Sequence, residues 1–184
     1  MVYPIFVYGS PVLRKVANEI DKNYPKLNEF IENMFETMQK SDGIGLAAPQ
    51  IGESIRLFVI NGAPWAEDDE SLRYFKKTFI NAKIYERSGD DNIYNEGCLS
   101  LPGIREEITR KSKIKISYYD ENFELHDEEF DGLKARVIQH EYDHIDGILL
   151  IDHLPPLKRK LLKRRLTDIS KGIVDVSYKI KAPK

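Results

Sequence analysis

The chain reads as an α+β protein, built mainly from antiparallel sheets around a central metal-binding helix. Two adjoining stretches carry that reading. Lys113-Ile114-Lys115-Ile116-Ser117-Tyr118 alternates polar and apolar residues with a period of two, and Asp120-Glu121-Asn122 then turns into a second strand through Phe130. Directly afterwards Leu133, Val137 and Ile138 fall on one helical stripe, with Asp131 suited to an N-cap and Gly147 to a C-terminal stop.

The remaining elements follow in chain order. Ser10-Pro11 has the cap-then-proline start of a short helix reaching about Ala17. From Pro25 to Lys40, the residues Leu27, Phe30, Ile31, Met34, Phe35 and Met38 form a helical apolar stripe, whose methionines read as core packing. Ser41-Asp42-Gly43 ends it. Ile55 to Ile60 and Phe79 to Glu86 read as strands. Gly62 to Asp69, with Ala63-Pro64-Trp65 and an acidic run, reads as a solvated surface loop, with Trp65 as the one side chain suited to facing a site. Pro156 to Lys171 puts Leu157, Leu161, Leu162, Leu166 and Ile169 on one stripe; Gly172 ends that helix, and Ile173 to Tyr178 reads as a final strand.

At 184 residues a single domain spanning 1–184 is expected, with the basic helix and strand at about 155–180 as its C-terminal part. A charged content of 32% and a hydrophobic content of 41% are ordinary for a soluble globular chain. One cysteine excludes an intramolecular disulfide and favours a reducing compartment, so a cytoplasmic location is expected. Met1 to Gly9 lacks the basic lead and apolar length of a signal peptide, and no run approaches a membrane span. Neither membrane nor DNA is expected as a partner. The charge is divided unevenly. Residues 153–184 hold ten Lys or Arg against two Asp, a formal +8, whereas the preceding residues carry −10.

The chemistry centres on His140-Glu141-Tyr142-Asp143-His144, an H-E-x-x-H run inside the helical stretch. On a helix, His144 lies about 40° round from His140 and one turn along, so both imidazoles leave one face with Glu141 beside them. Two neutral imidazoles at that spacing bind one divalent cation, and an adjacent carboxylate moves protons on water held there. The motif fixes only three positions, and a chance match on a solvated helix face is the competing reading. Two of the chain's four histidines lie in it, however, on a helix with an apolar face.

A catalytic site wants a third ligand and an open position. In one zinc-protease pattern a glycine and a further histidine follow; Gly147 fits the glycine, but Leu150 stands at the histidine's place. No glutamate occurs after Glu141, and Asp168 lies in a basic stretch. His153 reads as part of a loop, and His126 as a surface residue on a strand. Cys98, in Glu96-Gly97-Cys98-Leu99-Ser100, has three readings: a small buried hydrophobe, a nucleophile, or a thiolate ligand. Its setting between a glycine and a Leu-Ser-Leu-Pro turn suggests an exposed backbone of special geometry.

Three segments together resemble the peptide deformylases: Gly43-Ile44-Gly45-Leu46-Ala47-Ala48-Pro49-Gln50, Glu96-Gly97-Cys98-Leu99-Ser100, and Gln139-His140-Glu141-Tyr142-Asp143-His144. The resemblance runs from about Pro11 to Leu154. It implies a metal-dependent hydrolase that removes the formyl group from the N-terminal methionine of newly synthesised polypeptides. It implies Cys98, His140 and His144 as metal ligands, Glu141 as general acid/base, and the Gln50 amide with the Leu99 backbone N–H as donors to the developing oxyanion. Gly45 and its neighbours are implied as the strand edge that pairs with the substrate backbone, and Arg105 as an arginine near the substrate. Glu96 and Arg110 would form a supporting pair, while Ile44, Tyr94, Leu133 and Val137 would wall the methionine pocket. The implied ion is ferrous iron, with zinc, nickel or cobalt as substitutes, and such a site would be prone to oxidation at Cys98.

The implied partners are formyl-methionyl nascent peptides and, through the basic C-terminal helix, the ribosome. Against the latter stands a plain amphipathic helix with a solvated basic face. Two other classes compete with the deformylase reading. A peptidase cleaving internal bonds would need a different third ligand. A non-catalytic metal-binding or ribosome-associated module would lack a reacting group, yet Glu141, Gln50 and all three ligands are present.

Overall fold

The computed structural model describes residues 1–183. Its main sheet is antiparallel and follows the order β2 (Gly45–Ala47), β3 (Leu57–Asn61), β4 (Lys76–Gly97), β5 (Arg105–Tyr119), β6 (Leu125–Asp131). A second sheet joins β1 (Ile5–Phe6) to β7 (Ile180–Lys181) in parallel, Ile5 opposite Ile180. Three α-helices accompany them: α1 (Leu27–Lys40), α2 (Gly132–Ile145) and α3 (Pro156–Ser170).

Strand alternation decides which helix each face receives. In β3, Phe58 and Ile60 turn toward α2, where they join Phe79, Ile116, Ala135 and Ile138. Leu57 and Val59 turn to the other face and meet Ile31, Met34 and Met38 of α1. The methionines are thus core packing. A third apolar cluster seats Leu162, Leu166 and Ile169 of α3 against Leu101, Ile104 and Ile108.

Differences from the expected elements have local causes. The first helix is only a 3-10 turn, Pro11–Arg14, after which Lys15 is extended. Glu86 does not end its strand: β4 runs on to Gly97 and β5 begins as early as Arg105, so both flank the Cys98 turn. Bulges near Ile80, Ile84 and Ser88 break the period-two pattern that would have announced the extra length. Asp131 does sit at the N-cap of α2, but its side chain makes no capping bond. Leu157 and Leu161 are exposed on α3, outside the buried stripe. Residues 173–179 are not a strand; the pairing falls on Ile180–Lys181. No helix among the described residues is long and apolar enough to cross a membrane.

Candidate active site

Helix α2 is buried on nearly all sides, and it lies across the main sheet. Helical spacing puts Arg136, His140, Asp143 and His144 on one face. Alternation along β5 does the matching work, since Ile108, Arg110, Ile114, Ile116 and Tyr118 all point inward and Arg110 is carried in with the apolar residues.

The result is a buried ionic network beside the histidine pair. The Glu96 carboxylate accepts from Arg110 Nε (2.7 Å) and Arg136 (2.7 Å), and its second oxygen lies 2.9 Å from His140 Nδ1. Arg110 also donates to Asp143 at 2.8 Å, and Asp143 meets His153 Nε2 at 2.7 Å. Arg136 further donates to the carbonyls of Ile108 and Asn92. Burial alone would push the Glu96 carboxyl up. Its bonds with His140 and Arg110 outweigh that and hold it well below the usual carboxylate range. His153 therefore belongs to a 3-10 turn, Leu150–His153, and to this network, not to a free loop. His126 is on β6, half-buried, 2.9 Å from Asp120.

Cys98, His140 and His144 each offer one ligand atom, and these atoms all lie within 4.8 Å of one another. Cys98 Sγ is 3.3 Å from His144 Nε2. Burial raises the Cys98 thiol, but the imidazoles of His144 and His140 bring it down to about 5. One thiolate and two imidazoles suit a divalent first-row cation. His140 reaches the cluster with its other ring nitrogen held by Glu96, an orientation typical of a ligating histidine.

Glu141 is different from every other acid in the region. Its Oε2 is buried without a partner, and burial pushes the carboxyl up to about 7 against the pull of His140 and His144. Gly45 makes room for it, because a Cβ there would sit 2.4 Å from Glu141 Oε1. Gln50 accepts from the Ala47 N–H through Oε1 (2.8 Å). That turns Nε2 toward Ser100 Oγ (3.3 Å) and Cys98 Sγ (3.7 Å).

These groups face a largely apolar cavity of about 360 Å³. Ile44, Gly45, Tyr94, Val137 and Trp65 line it, with Trp65 beside Tyr94 at 6.2 Å between ring centroids. Gln50, Glu96, Leu99 and Arg105 line it too, and Arg105 is anchored to the Asn95 carbonyl. Leu133 is not brought to the cavity and packs on the core beneath α2. His144 lies behind His140, 1% exposed. Beyond the residues expected from sequence, the structure adds Arg136, Asp143, Ser100, Val176 and Tyr178. The first two share helical spacing with His140, which was a readable signal; Ser100 closes the Glu96–Ser100 segment of the resemblance, and Val176 and Tyr178 had no signal. Strand β2 has one edge of the sheet, beside Glu141.

Comparisons with known proteins show similarity over the whole chain. A family model described as Polypeptide deformylase matches residues 2–160. The peptide deformylase of Christiangramia forsetii is 50% identical over 190 residues, covering 100% of this chain and 97% of the relative. That of Cytophaga hutchinsonii is 50% identical over 183 residues, covering 100% and 98%. The crystal structure of peptide deformylase from Thermus thermophilus superposes with a TM-score of 0.82 at 41% identity, covering 94% of this chain and 99% of that one.

Proposed function

This chain belongs to the peptide deformylase family, a hydrolase that removes the formyl group from the N-terminal methionine of new polypeptides, and on that premise we propose which of its residues do so. Cys98, His140 and His144 would hold one divalent cation, and the convergence of their three donor atoms is the observation that carries the reading. Ferrous iron is our proposed native ion, with zinc, nickel or cobalt as substitutes; a soft thiolate beside two imidazoles is compatible with all four. When bound, the cation makes water acidic enough to attack an amide near neutral pH.

The chain's own residues then divide the work. Glu141 takes the proton of the attacking water and delivers it to the leaving amine. Its Oε2 is buried with no hydrogen-bond partner, which leaves the carboxyl available to both accept and donate. Gln50 Nε2 and the Leu99 N–H donate to the formyl oxygen as negative charge develops there; one such donor is typically worth about 3–4 kcal/mol. The Ala47 N–H supports the Gln50 role by fixing which end of the amide faces the site. The edge of β2 at Gly45 pairs with the substrate backbone. Ile44, Tyr94 and Val137, joined by Trp65, receive the methionine side chain, and Arg105 faces the substrate beyond it. Glu96 serves by orienting His140, since its oxygens are already taken by Arg110, Arg136 and His140.

We also assign the enzyme to the cytoplasm, where a lone thiol stays reduced. Ribosome docking through α3 is supported by its Lys158, Lys160, Lys163 and Arg164, all exposed beside Leu157 and Leu161. Charge reversal at those four positions should abolish any salt-sensitive co-sedimentation with ribosomes.

The deciding experiment pairs metal analysis of anaerobically purified protein with an assay on formyl-Met-Ala-Ser. Glu141→Gln should keep the metal and lower kcat by about 10²- to 10⁴-fold. Wild-type-like turnover in that variant would remove Glu141 from the chemistry.

A further inference from the structure

The turn that carries Cys98 is held from several sides. The Leu101 N–H donates to the Cys98 carbonyl at 2.9 Å, closing a four-residue turn with Leu99 and Ser100 at its centre. The Tyr8 N–H donates to the Ser100 carbonyl, also at 2.9 Å. The central peptide, between Leu99 and Ser100, is the one that rotates when such a turn changes type, because its rotation leaves the closing bond intact. Its carbonyl, that of Leu99, accepts from the Tyr178 hydroxyl at 2.9 Å.

Tyr178 comes from beyond the segment matched by the family model, which ends at residue 160. Two features bring it there. Ile180 and Lys181 pair with Ile5 and Phe6, with the Ile5 N–H on the Lys179 carbonyl (2.8 Å) and the Val7 N–H on that of Lys181 (3.1 Å). The ring itself packs against the apolar cluster that includes Leu99, and both Val176 and Tyr178 reach the cavity.

We propose that Tyr178 is a positioning residue for deformylation: its hydroxyl locks the central peptide of the Cys98–Leu101 turn. A rotation of that peptide swings Ser100, whose hydroxyl accepts from Gln50, while the Leu99 N–H belongs to the preceding peptide and is held by the closing bond of the turn. The lock thus positions the Gln50 amide, through Ser100, without touching it. Burial keeps the phenol protonated, with its pKa pushed up to about 12, so it donates throughout the working pH range. The proposal rests on the deformylase reading for its catalytic consequence and on geometry alone for the lock.

Tyr178→Phe tests it, because the ring and the strand pairing stay. With formyl-Met-Ala-Ser, kcat should fall roughly two- to tenfold, the factor one neutral hydrogen bond is worth, with KM unchanged. Amide exchange at Ser100, the N–H of the rotating peptide, should speed up by a similar factor, while Leu101, whose closing bond survives the rotation, stays unchanged and the melting temperature is little altered. Lys179→Ala, an exposed change in the same segment, should move neither readout. Unchanged exchange at Ser100, unchanged kcat, or a loss confined to KM each overturns the proposal. If the wild-type enzyme failed to deformylate, the function would fall, while the exchange comparison would still decide the lock.

Discussion

Strand β5 carries two charged clusters on one inward face. At one end, Arg110 joins Glu96 with side chains 4% and 5% exposed. At the other, the Tyr118 hydroxyl contacts Lys77 (2.8 Å) and Glu128, and the Lys77–Glu128 pair is 31% and 36% exposed. Both clusters combine an acid, a base and a ring, and both lower a carboxyl pKa against the opposing effect of burial. The difference is water. Beside the cavity, desolvated charges must satisfy one another completely, which locks His140 in place. At the open end, solvent satisfies whatever the protein leaves over, so the pair ties the sheet together at little cost and with little consequence.

Breaking the buried cluster should have the largest effect. Arg110→Met leaves the Glu96 and Asp143 carboxylates short of their main counter-charge, and urea denaturation should register a loss of about 3–5 kcal/mol. A loss below about 1 kcal/mol would equate the two clusters. Next comes Gly45→Ala, which forces a Cβ against the carboxylate that stands outside either cluster. Displacing Glu141 should cut kcat about 10²-fold while metal content holds. Glu96→Gln keeps the shape of the network but weakens the hold on His140, so competition with a chelator should reveal about a tenfold loss of metal affinity.

The smallest effect belongs to the open end. Burial raises the Glu128 carboxyl, but bonds from Tyr118 and Lys77 outweigh it and hold the group below its ordinary 4.5. A depressed carboxyl stabilises the fold above its unfolded-state value and loses that contribution as pH falls through the folded one. The gap in melting temperature between wild type and Glu128→Gln should therefore be present near neutrality and shrink below about pH 4.5.

What could be read from the sequence follows the same division. The α2 histidines, Glu141 and the β5–β6 hairpin announce themselves through period, because regular elements repeat their geometry. Gly43 to Gln50 and the Cys98 segment were legible only as a resemblance. Arg110 entered only through the resemblance and Arg136 only through its helical spacing with His140, and the register that turns them inward is what makes them supports. The length of β4 was hidden by its bulges. Tyr178 was unreadable, since its partner is a backbone carbonyl far away in sequence, and the expected strand at Ile173 to Tyr178 obscured it further.

The parallel pairing of Ile5 with Ile180 also bears on the order in which the molecule is made. Translation delivers β1 almost immediately but β7 only after all five strands of the main sheet and all three helices have been made. A contact of such sequence separation is closed late and slowly. The hydroxyl that holds the Leu99 carbonyl thus comes from a segment made after the thiol and both histidines.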